Sequence, residues 1–209
     1  MKLRNKNLKI LKSNHVYSEE MEHDACGVGL VASTEGLKSR KVVEYGIDAL
    51  KAVWHRGAID ADGKTGDGAG IHIEIPKDFF EEKIEVTGHK HDNSELCVGM
   101  IFLPRNDYSA QEQCRTIVES ELTKRNFSIY GWRQVPVDPS VLGEKAEQTR
   151  PEITQVLFTY NDKKVVNKSL EQKLYETRRV IEKEALNNQL NNFYICSFSS
   201  KSIIYKGMF

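Results

Sequence analysis

The sequence predicts a layered domain of the α/β or α+β class, with sheets at its centre. Short apolar or alternating segments typical of strands outnumber the segments with helical periodicity, and each longer helical segment can cover one face of a sheet. The length agrees with this prediction, because 209 residues suffice for one domain that buries roughly 70% of its unfolded surface without a disulfide or metal.

The first quarter of the chain combines a polar leader, a strand and a helix. Residues 1–25 carry few large apolar side chains, whereas "CGVGLVAS" (26–33) has the apolar run of a buried strand. A helix with its N-cap at Ser39 and its C-cap at Gly57 is expected to follow. Its apolar face is formed by Val43, Ile47, Leu50 and Trp54.

The next part of the chain alternates a loop with two strands. The segment "IDADGKTGDGAG" (59–70) is a glycine- and aspartate-rich loop. In "IHIEIP" (71–76) isoleucines alternate with polar residues, as on a half-buried strand, and "KDFFEEKI" (77–84) predicts a short helix or turn. The run "ELCVGMIFLP" (95–104) predicts a second, buried strand.

The second half of the chain repeats the pattern of helix and strand. Two helices are predicted, over 109–125 and 168–189. Cys114 falls at a core position of the first, and the apolar face of the second consists of Leu170, Leu174, Thr177, Ile181 and Ala185. Strand character is found in 127–140, where it is mixed with proline turns, in 152–160, and in two segments of 191–209 that a turn at 199–201 joins.

Charge and cysteine content restrict the classes of function. Thirty basic and thirty acidic residues cancel, which removes the usual electrostatic argument for a nucleic-acid or anionic-membrane partner. The polar start of the chain has neither the apolar core of a secretory signal nor a membrane span. Cys26, Cys97, Cys114 and Cys196 form no paired motif, so we predict no metal site and a reducing, cytoplasmic location.

Cys26 admits two interpretations. It is a buried thiol at the start of a strand, as free cysteines often are, or it is a nucleophile. A nucleophilic thiol needs a base. One of the six histidines is one candidate, although their spacing selects none. The other is the α-amine of Cys26 itself, with a pKa of about 8, after removal of the leader. Gly27 and Gly29 supply the flexible backbone that this second arrangement needs.

Four segments together resemble one known family. The ordered set "HDACGVG", "ALKAVWHRGA", "DADGKTGDGAGI" and "YGWRQVPVDPSVLGEKAEQTRPEITQV" is similar to the amino-terminal glutaminase domain of glutamate synthase large subunits. The resemblance covers the chain from about residue 17 to its last residue. It implies a class II glutamine amidotransferase domain over 26–209, of the α+β N-terminal-nucleophile type with a four-layer αββα sandwich. It also implies that the leader, 1–25, is removed between Ala25 and Cys26.

The resemblance assigns the catalytic role to one residue. Cys26 matches the family nucleophile and supplies its own base. Its thiolate would attack the side-chain amide of glutamine, release ammonia and leave a glutamyl thioester, which water hydrolyses to glutamate.

Other matching residues would organise or bind at the site. Arg56 matches the arginine of the family's histidine–arginine–glycine motif and would make charge-assisted hydrogen bonds; it could equally act as a cation at the end of a helix. Gly57 follows Arg56 in the same motif, whereas Gly66, Gly68 and Gly70 permit close approach of the backbone. Asp67 is interpreted as a turn or hydrogen-bonding residue. His55 is expected to be a packed neighbour of the site and not its base.

In the family the ammonia travels to a separate synthase domain, where 2-oxoglutarate is aminated and reduced. The resemblance places FMN and an iron–sulfur cluster in that later part, with electrons from NAD(P)H through a small partner subunit or from ferredoxin. For this segment we therefore expect glutamine as substrate, the rest of the large subunit as partner, and no cofactor.

One family feature is missing. Class II amidotransferases use an asparagine–glycine pair to stabilise the oxyanion, but none of the twelve asparagines in this sequence precedes a glycine. We therefore expect a domain that is incomplete at its C-terminus, the front part of a larger enzyme and inactive by itself. Two alternatives remain open: an amidotransferase with another acceptor, such as a sugar phosphate, and a glutaminase-like module that binds glutamine or a partner without catalysis.

Overall fold

Helices and antiparallel strands alternate in the computed structural model, which describes residues 27–53, 57, 59–66, 68–90 and 94–208. The chain divides into two units, Met1–Leu30 and Val31–Phe209. Of the first unit the structure describes residues 27–30, an exposed segment without regular structure. All the described helices and strands belong to the second unit.

The second unit contains five α-helices and six strands among its described residues. The helices are α1 (Arg40–Ala52), α2 (Lys77–Val86), α3 (Tyr108–Lys124), α4 (Glu144–Thr149) and α5 (Lys168–Asn187), with a 3₁₀ turn at Pro139–Val141. The strands are β1 (Gly68–Glu74), β2 (Leu96–Leu103), β3 (Phe127–Gln134), β4 (Glu152–Tyr160), β5 (Tyr194–Ser199) and β6 (Ser202–Met208).

Helix α1 begins where the sequence predicts and ends earlier. The Ser39 hydroxyl accepts a hydrogen bond from the backbone N–H of Val42, which confirms the predicted N-cap. The predicted C-cap at Gly57 is wrong. The N–H of Val53 instead bonds to the carbonyls of Leu50 and Lys51, and this tightened last turn ends the helix at Ala52.

The central layer is an antiparallel four-stranded sheet with strand order β3-β4-β2-β5. Helices α3 and α5 cover one face and bury a large apolar core against it. Gly99 lies in the middle of β2 on this face, and a Cβ added there would lie 2.7 Å from Val156 and 2.8 Å from the Phe198 ring. The absence of a side chain therefore lets the two neighbouring strands place their large residues over β2.

A two-stranded antiparallel sheet, β1–β6, packs on the other face of the central sheet. Leu96, Val98 and Met100 of β2 face it, and Phe80 and Ile84 of α2 complete this second core. The order of layers is thus helices, four-stranded sheet and two-stranded sheet, while α1 contacts β1 beside Ile71. This arrangement confirms the α+β class and supplies three consecutive layers of an αββα sandwich.

The strand predicted over 26–33 is wrong for its described residues, 27–33. Cys26 lies outside the described residues, and 27–33 form no strand. Val28 is 95% exposed and Leu30 is 91% exposed. A strand is stabilised by ladder bonds and by packing on a neighbour, and this glycine-spaced segment joins no ladder.

Most other predicted elements are confirmed, but β1 begins at Gly68, so residues 68–70 of the loop predicted over 59–70 belong to this strand. Helix α5 buries the five side chains on its predicted apolar face: Leu170, Leu174, Thr177, Ile181 and Ala185. The last two strands form as predicted around the turn at 199–201, but they join different sheets, since β5 pairs with β2 and β6 pairs with β1. The short helix α4 and the 3₁₀ turn were not predicted. No helix within the described ranges has the length and apolarity needed to cross a membrane.

Candidate active site

The structure describes two of the five predicted site residues. Cys26, Arg56 and Asp67 lie outside the described residues, as does His55. Gly57 is exposed in a bend after α1, and Gly68 is the first residue of β1, opposite Met208 of β6.

The segment between these glycines is a closed loop. Ile59 and Gly66 form an antiparallel bridge, and the N–H of Asp60 donates to the carbonyl of Thr65 at 2.7 Å. The bridge holds the two ends of the loop side by side. In the sequence, Gly57 precedes Ile59 by two residues and Gly68 follows Gly66 by two, so the two predicted glycines flank the loop that this bridge closes.

Asp62 organises the interior of this loop. One carboxylate oxygen, Oδ1, accepts hydrogen bonds from the backbone N–H groups of Lys64 at 3.0 Å and Thr65 at 2.7 Å. The other oxygen, Oδ2, accepts from the Thr65 hydroxyl at 2.5 Å. The hydroxyl and the two N–H groups favour the charged form and hold the pKa of Asp62 well below its ordinary value. The loop is therefore closed around a carboxylate whose charged form is stabilised by donors of the loop itself.

The loop rests on the start of helix α4. A Cβ added to Gly143 would lie 2.5 Å from Asp62 Oδ2, 2.5 Å from the Thr65 nitrogen and closer still to Thr65 Oγ1. Beside this contact the Lys145 ammonium donates to Asp60 Oδ2 at 2.7 Å. This ion pair lowers the pKa of Asp60 and raises that of Lys145.

Two of the segments that carry the family resemblance are thus in direct contact. The Lys145–Asp60 pair spans 85 positions of the sequence, so no local pattern could have predicted it. Sequence reasoning passed over Gly143. This glycine lies between the 3₁₀ turn and α4 in extended backbone, a conformation that does not require glycine.

A buried polar link connects the two sheets. Gln155 of β4 is fully buried and accepts a hydrogen bond from the Arg133 guanidinium at 2.7 Å. Its amide nitrogen donates to the Tyr205 hydroxyl of β6 at 3.1 Å. Arg133 also lies over the Phe79 ring, 5.1 Å from the ring centre. Since β6 pairs with β1, this link helps to fix the strand that begins at Gly68.

The described thiols are poor nucleophiles. Cys97, Cys114 and Cys196 are free and buried. Burial raises the pKa of Cys114 to about 11 and also raises the pKa values of Cys97 and Cys196. A buried, protonated thiol does not attack a carbonyl. Among the four cysteines Cys26 alone stays a candidate, and the prediction that Cys114 belongs to the core is confirmed.

The charged groups beside β1 include two ion pairs. An open depression of about 520 Å³ beside β1 contains the ion pairs Lys38–Glu74, at 2.6 Å, and Lys77–Glu95, at 3.2 Å. Within the described ranges no three His, Cys, Asp or Glu side chains are grouped so that they could hold a metal ion.

The model of the family "Glutamine amidotransferases class-II" matches residues 26–209. The glutamate synthase [NADPH] large chain of Azospirillum brasilense is 54% identical over 203 residues, which are 97% of this chain and 13% of that protein. The ferredoxin-dependent glutamate synthase of Pyropia yezoensis is 37% identical over 96% of this chain and 13% of its own length. The chloroplastic ferredoxin-dependent glutamate synthase 2 of Arabidopsis thaliana is 36% identical over 95% of this chain and 12% of its own. The chain thus spans about an eighth of the length of these curated relatives.

Proposed function

Because the chain belongs to the class II glutamine amidotransferases, we propose that it hydrolyses glutamine within a glutamate synthase large subunit and supplies ammonia for the amination of 2-oxoglutarate. The observation that carries the proposal is the extent of the similarity: the family match starts at Cys26 and continues to residue 209, and the bacterial large chain is 54% identical over 97% of the sequence.

The proposed chemistry uses the thiol and the α-amine of Cys26. Removal of residues 1–25 frees the amine, which accepts the thiol proton. The thiolate attacks the side-chain carbonyl carbon of glutamine, and the proton passes to the departing nitrogen, so that ammonia leaves and a glutamyl thioester remains. Water then attacks the thioester, the thiol recovers a proton, and glutamate is released. The burial of Cys97, Cys114 and Cys196 supports this assignment, because none of these thiols is accessible.

The remaining site residues are proposed to organise the reaction. Arg56 would make charge-assisted hydrogen bonds in the neighbourhood of the thiol, and Asp67 would hydrogen-bond within the loop. Gly57 and Gly68 would let the backbone approach the substrate. The bridge between Ile59 and Gly66 supports this grouping, since it closes the loop that Arg56 and Asp67 flank in the sequence.

The cofactors and partners of the proposed reaction belong to other parts of a large subunit. FMN and an iron–sulfur cluster would serve the synthase reaction, with electrons from NAD(P)H through a small subunit or from ferredoxin. The described residues of this chain group no set of metal ligands, so we assign no step here to these groups. We propose a cytoplasmic location, which the free thiols of the described cysteines favour.

The test is a chimera with the bacterial relative. This chain replaces the corresponding first segment of the Azospirillum large chain, and glutamate release from glutamine is measured together with the N-terminal sequence of the product. We expect a chain that begins at Cys26 and is active, loss of activity in Cys26→Ala, and retained activity in the control Cys196→Ala. Glutamate release by Cys26→Ala, or an active protein that retains Met1, would contradict the mechanism.

The same assay separates the proposal from its alternatives. We expect the 209-residue chain alone to release negligible glutamate, because its sequence contains no asparagine–glycine pair for the oxyanion. A chimera that hydrolyses glutamine but does not couple this hydrolysis to the amination of 2-oxoglutarate would favour another acceptor. Glutamine binding without turnover by the chimera would favour a binding module.

A further inference from the structure

We propose that Asp62, Thr65 and Gly143 form a clamp that positions the loop between Gly57 and Gly68 for catalysis, and that Asp62 and Gly143 are positioning residues of the active site. The inference rests on the proposed function, because Arg56 and Asp67 flank this loop in the sequence. It adds residues that the family resemblance does not assign to the site.

The clamp leaves the loop little freedom. The Asp62 carboxylate accepts three hydrogen bonds from Lys64 and Thr65, and all of them lie inside the loop. On the outer side Gly143 packs so closely that a single methyl group would meet both Asp62 and Thr65. Thr65 is 5% exposed in this contact. The loop is therefore held from within by hydrogen bonds and from outside by direct backbone contact.

Helix α4, which carries Gly143 at its start, is joined to the central sheet by ion pairs. Glu147 of α4 forms ion pairs with Arg105, just after β2, and with Arg150, just before β4; the Arg150 Nε donates at 2.7 Å. Both guanidinium groups lower the pKa of Glu147 to about 2. Ala146, beside it, is 3% exposed. Helix α4 thus connects the loop to the ends of two core strands.

The loop gains little apolar burial from this arrangement. Ile59 is 64% exposed, while hydrogen bonds, the Lys145–Asp60 ion pair and the close approach of Gly143 hold the loop. A loop that served only to connect α1 with β1 would not require a glycine at position 143, about 80 residues later in the chain. The contacts instead hold residues 59–66 in one place, and Arg56 and Asp67 flank this loop in the sequence. A site whose groups must be held in one geometry requires such support.

The first measurement is hydrogen–deuterium exchange of the 209-residue chain. Asp62→Ala removes the acceptor, and Gly143→Ala inserts a methyl group into the contact. Both should raise amide exchange in peptides covering 57–68 by about tenfold or more, with peptides of β2 and β4 unchanged. Asp62→Asn keeps one acceptor oxygen and should behave like the parent. Gly207→Ala is the matched glycine control, because a Cβ there has no neighbour within 4 Å.

The second measurement is glutamine hydrolysis by the chimera described above. If the clamp positions catalytic groups, Asp62→Ala and Gly143→Ala should lower kcat by about tenfold or more while KM for glutamine and the melting temperature change little. Asp62→Asn should restore most of kcat. A purely structural role would lower the melting temperature and leave kcat per folded molecule unchanged.

Each contrary result is informative. Unchanged exchange in Asp62→Ala and Gly143→Ala would overturn the clamp, and faster exchange with an unchanged kcat would overturn its positioning role. An unsubstituted chimera that lacks glutaminase activity would refute the proposed function and the positioning role with it, while the exchange data would still report whether the clamp holds the loop.

Discussion

Gly99→Ala tests how closely the core is packed around the central strand. A Cβ at this position would lie 2.7 Å from Val156 Cγ1 and 2.8 Å from two atoms of the Phe198 ring. Ordinary contacts between carbon atoms are about 3.5–4.0 Å, so both neighbours would have to move by about 1 Å. Phe198 in turn packs on Phe158, with ring centres 4.8 Å apart, and cannot move alone.

Overpacking of this kind costs about 1–3 kcal/mol. Because two neighbours are involved, we expect Gly99→Ala to lower the free energy of unfolding by about 2 kcal/mol, or the melting temperature by about 4–8 °C in a chain of this size. Urea unfolding followed by circular dichroism measures the effect. The matched control is again Gly207→Ala, which should change stability by less than about 0.5 kcal/mol.

A double-mutant cycle identifies the cause. Phe198→Leu removes the ring atoms that the new methyl group would meet, so the penalty of Gly99→Ala should fall by about half in that background. An unchanged stability in Gly99→Ala, or the same penalty with and without the Phe198 ring, would refute this account of the core.

Three further outcomes are expected. In the native chain Cys97, Cys114 and Cys196 should resist iodoacetamide at pH 8, because burial raises their pKa values. Peptide mass spectrometry should show full modification of the same cysteines in the unfolded chain, and rapid labelling of Cys114 in the native chain would contradict this expectation. Ser39→Ala should remove the cap of α1 at a cost of about 1 kcal/mol and speed amide exchange in 40–53; equal exchange in both proteins would argue against the cap. Because the folded state holds the pKa of Glu147 below its ordinary value of 4.5, its ion pairs stabilise the fold above that pH and lose this effect as the pH falls through about 2. Glu147→Gln should therefore lower the urea midpoint at pH 7 and match the parent near pH 2, and a difference that persists in acid would contradict the linkage.

Local periodicity predicted most of the secondary structure. Helix α5 buries the five residues that a 3.6-residue repeat selects, and β2 is the buried strand that its apolar run predicts. The incorrect predictions concern two segments whose local sequence pattern was not matched by the contacts that the structure makes there. Gly57 did not cap α1, since Val53 had already closed the last turn, and residues 27–33 formed no strand because an apolar run without a paired neighbour has no ladder.

The candidate site was predicted unevenly. Sequence motifs singled out Gly57 and Gly68; the structure describes Gly57 as an exposed bend residue and Gly68 as the first residue of β1, opposite Met208. The roles of Cys26, Arg56 and Asp67 stay predictions, since these residues lie outside the described ranges. Sequence reasoning passed over Gly143 as a packing residue and Gln155 as a buried polar link, since each is recognisable only beside a partner from a distant segment.

The sequence by itself determined the family, the periodic helices and strands, and the identity of the candidate nucleophile, because these depend on residue types at short spacing. Only the tertiary structure decided that β5 and β6 join different sheets and that the loop at 59–66 rests on Gly143 and Lys145. The physical reason is that such contacts follow from how two sheets and their helices pack together. Packing brings together groups whose separation along the chain carries no local signal.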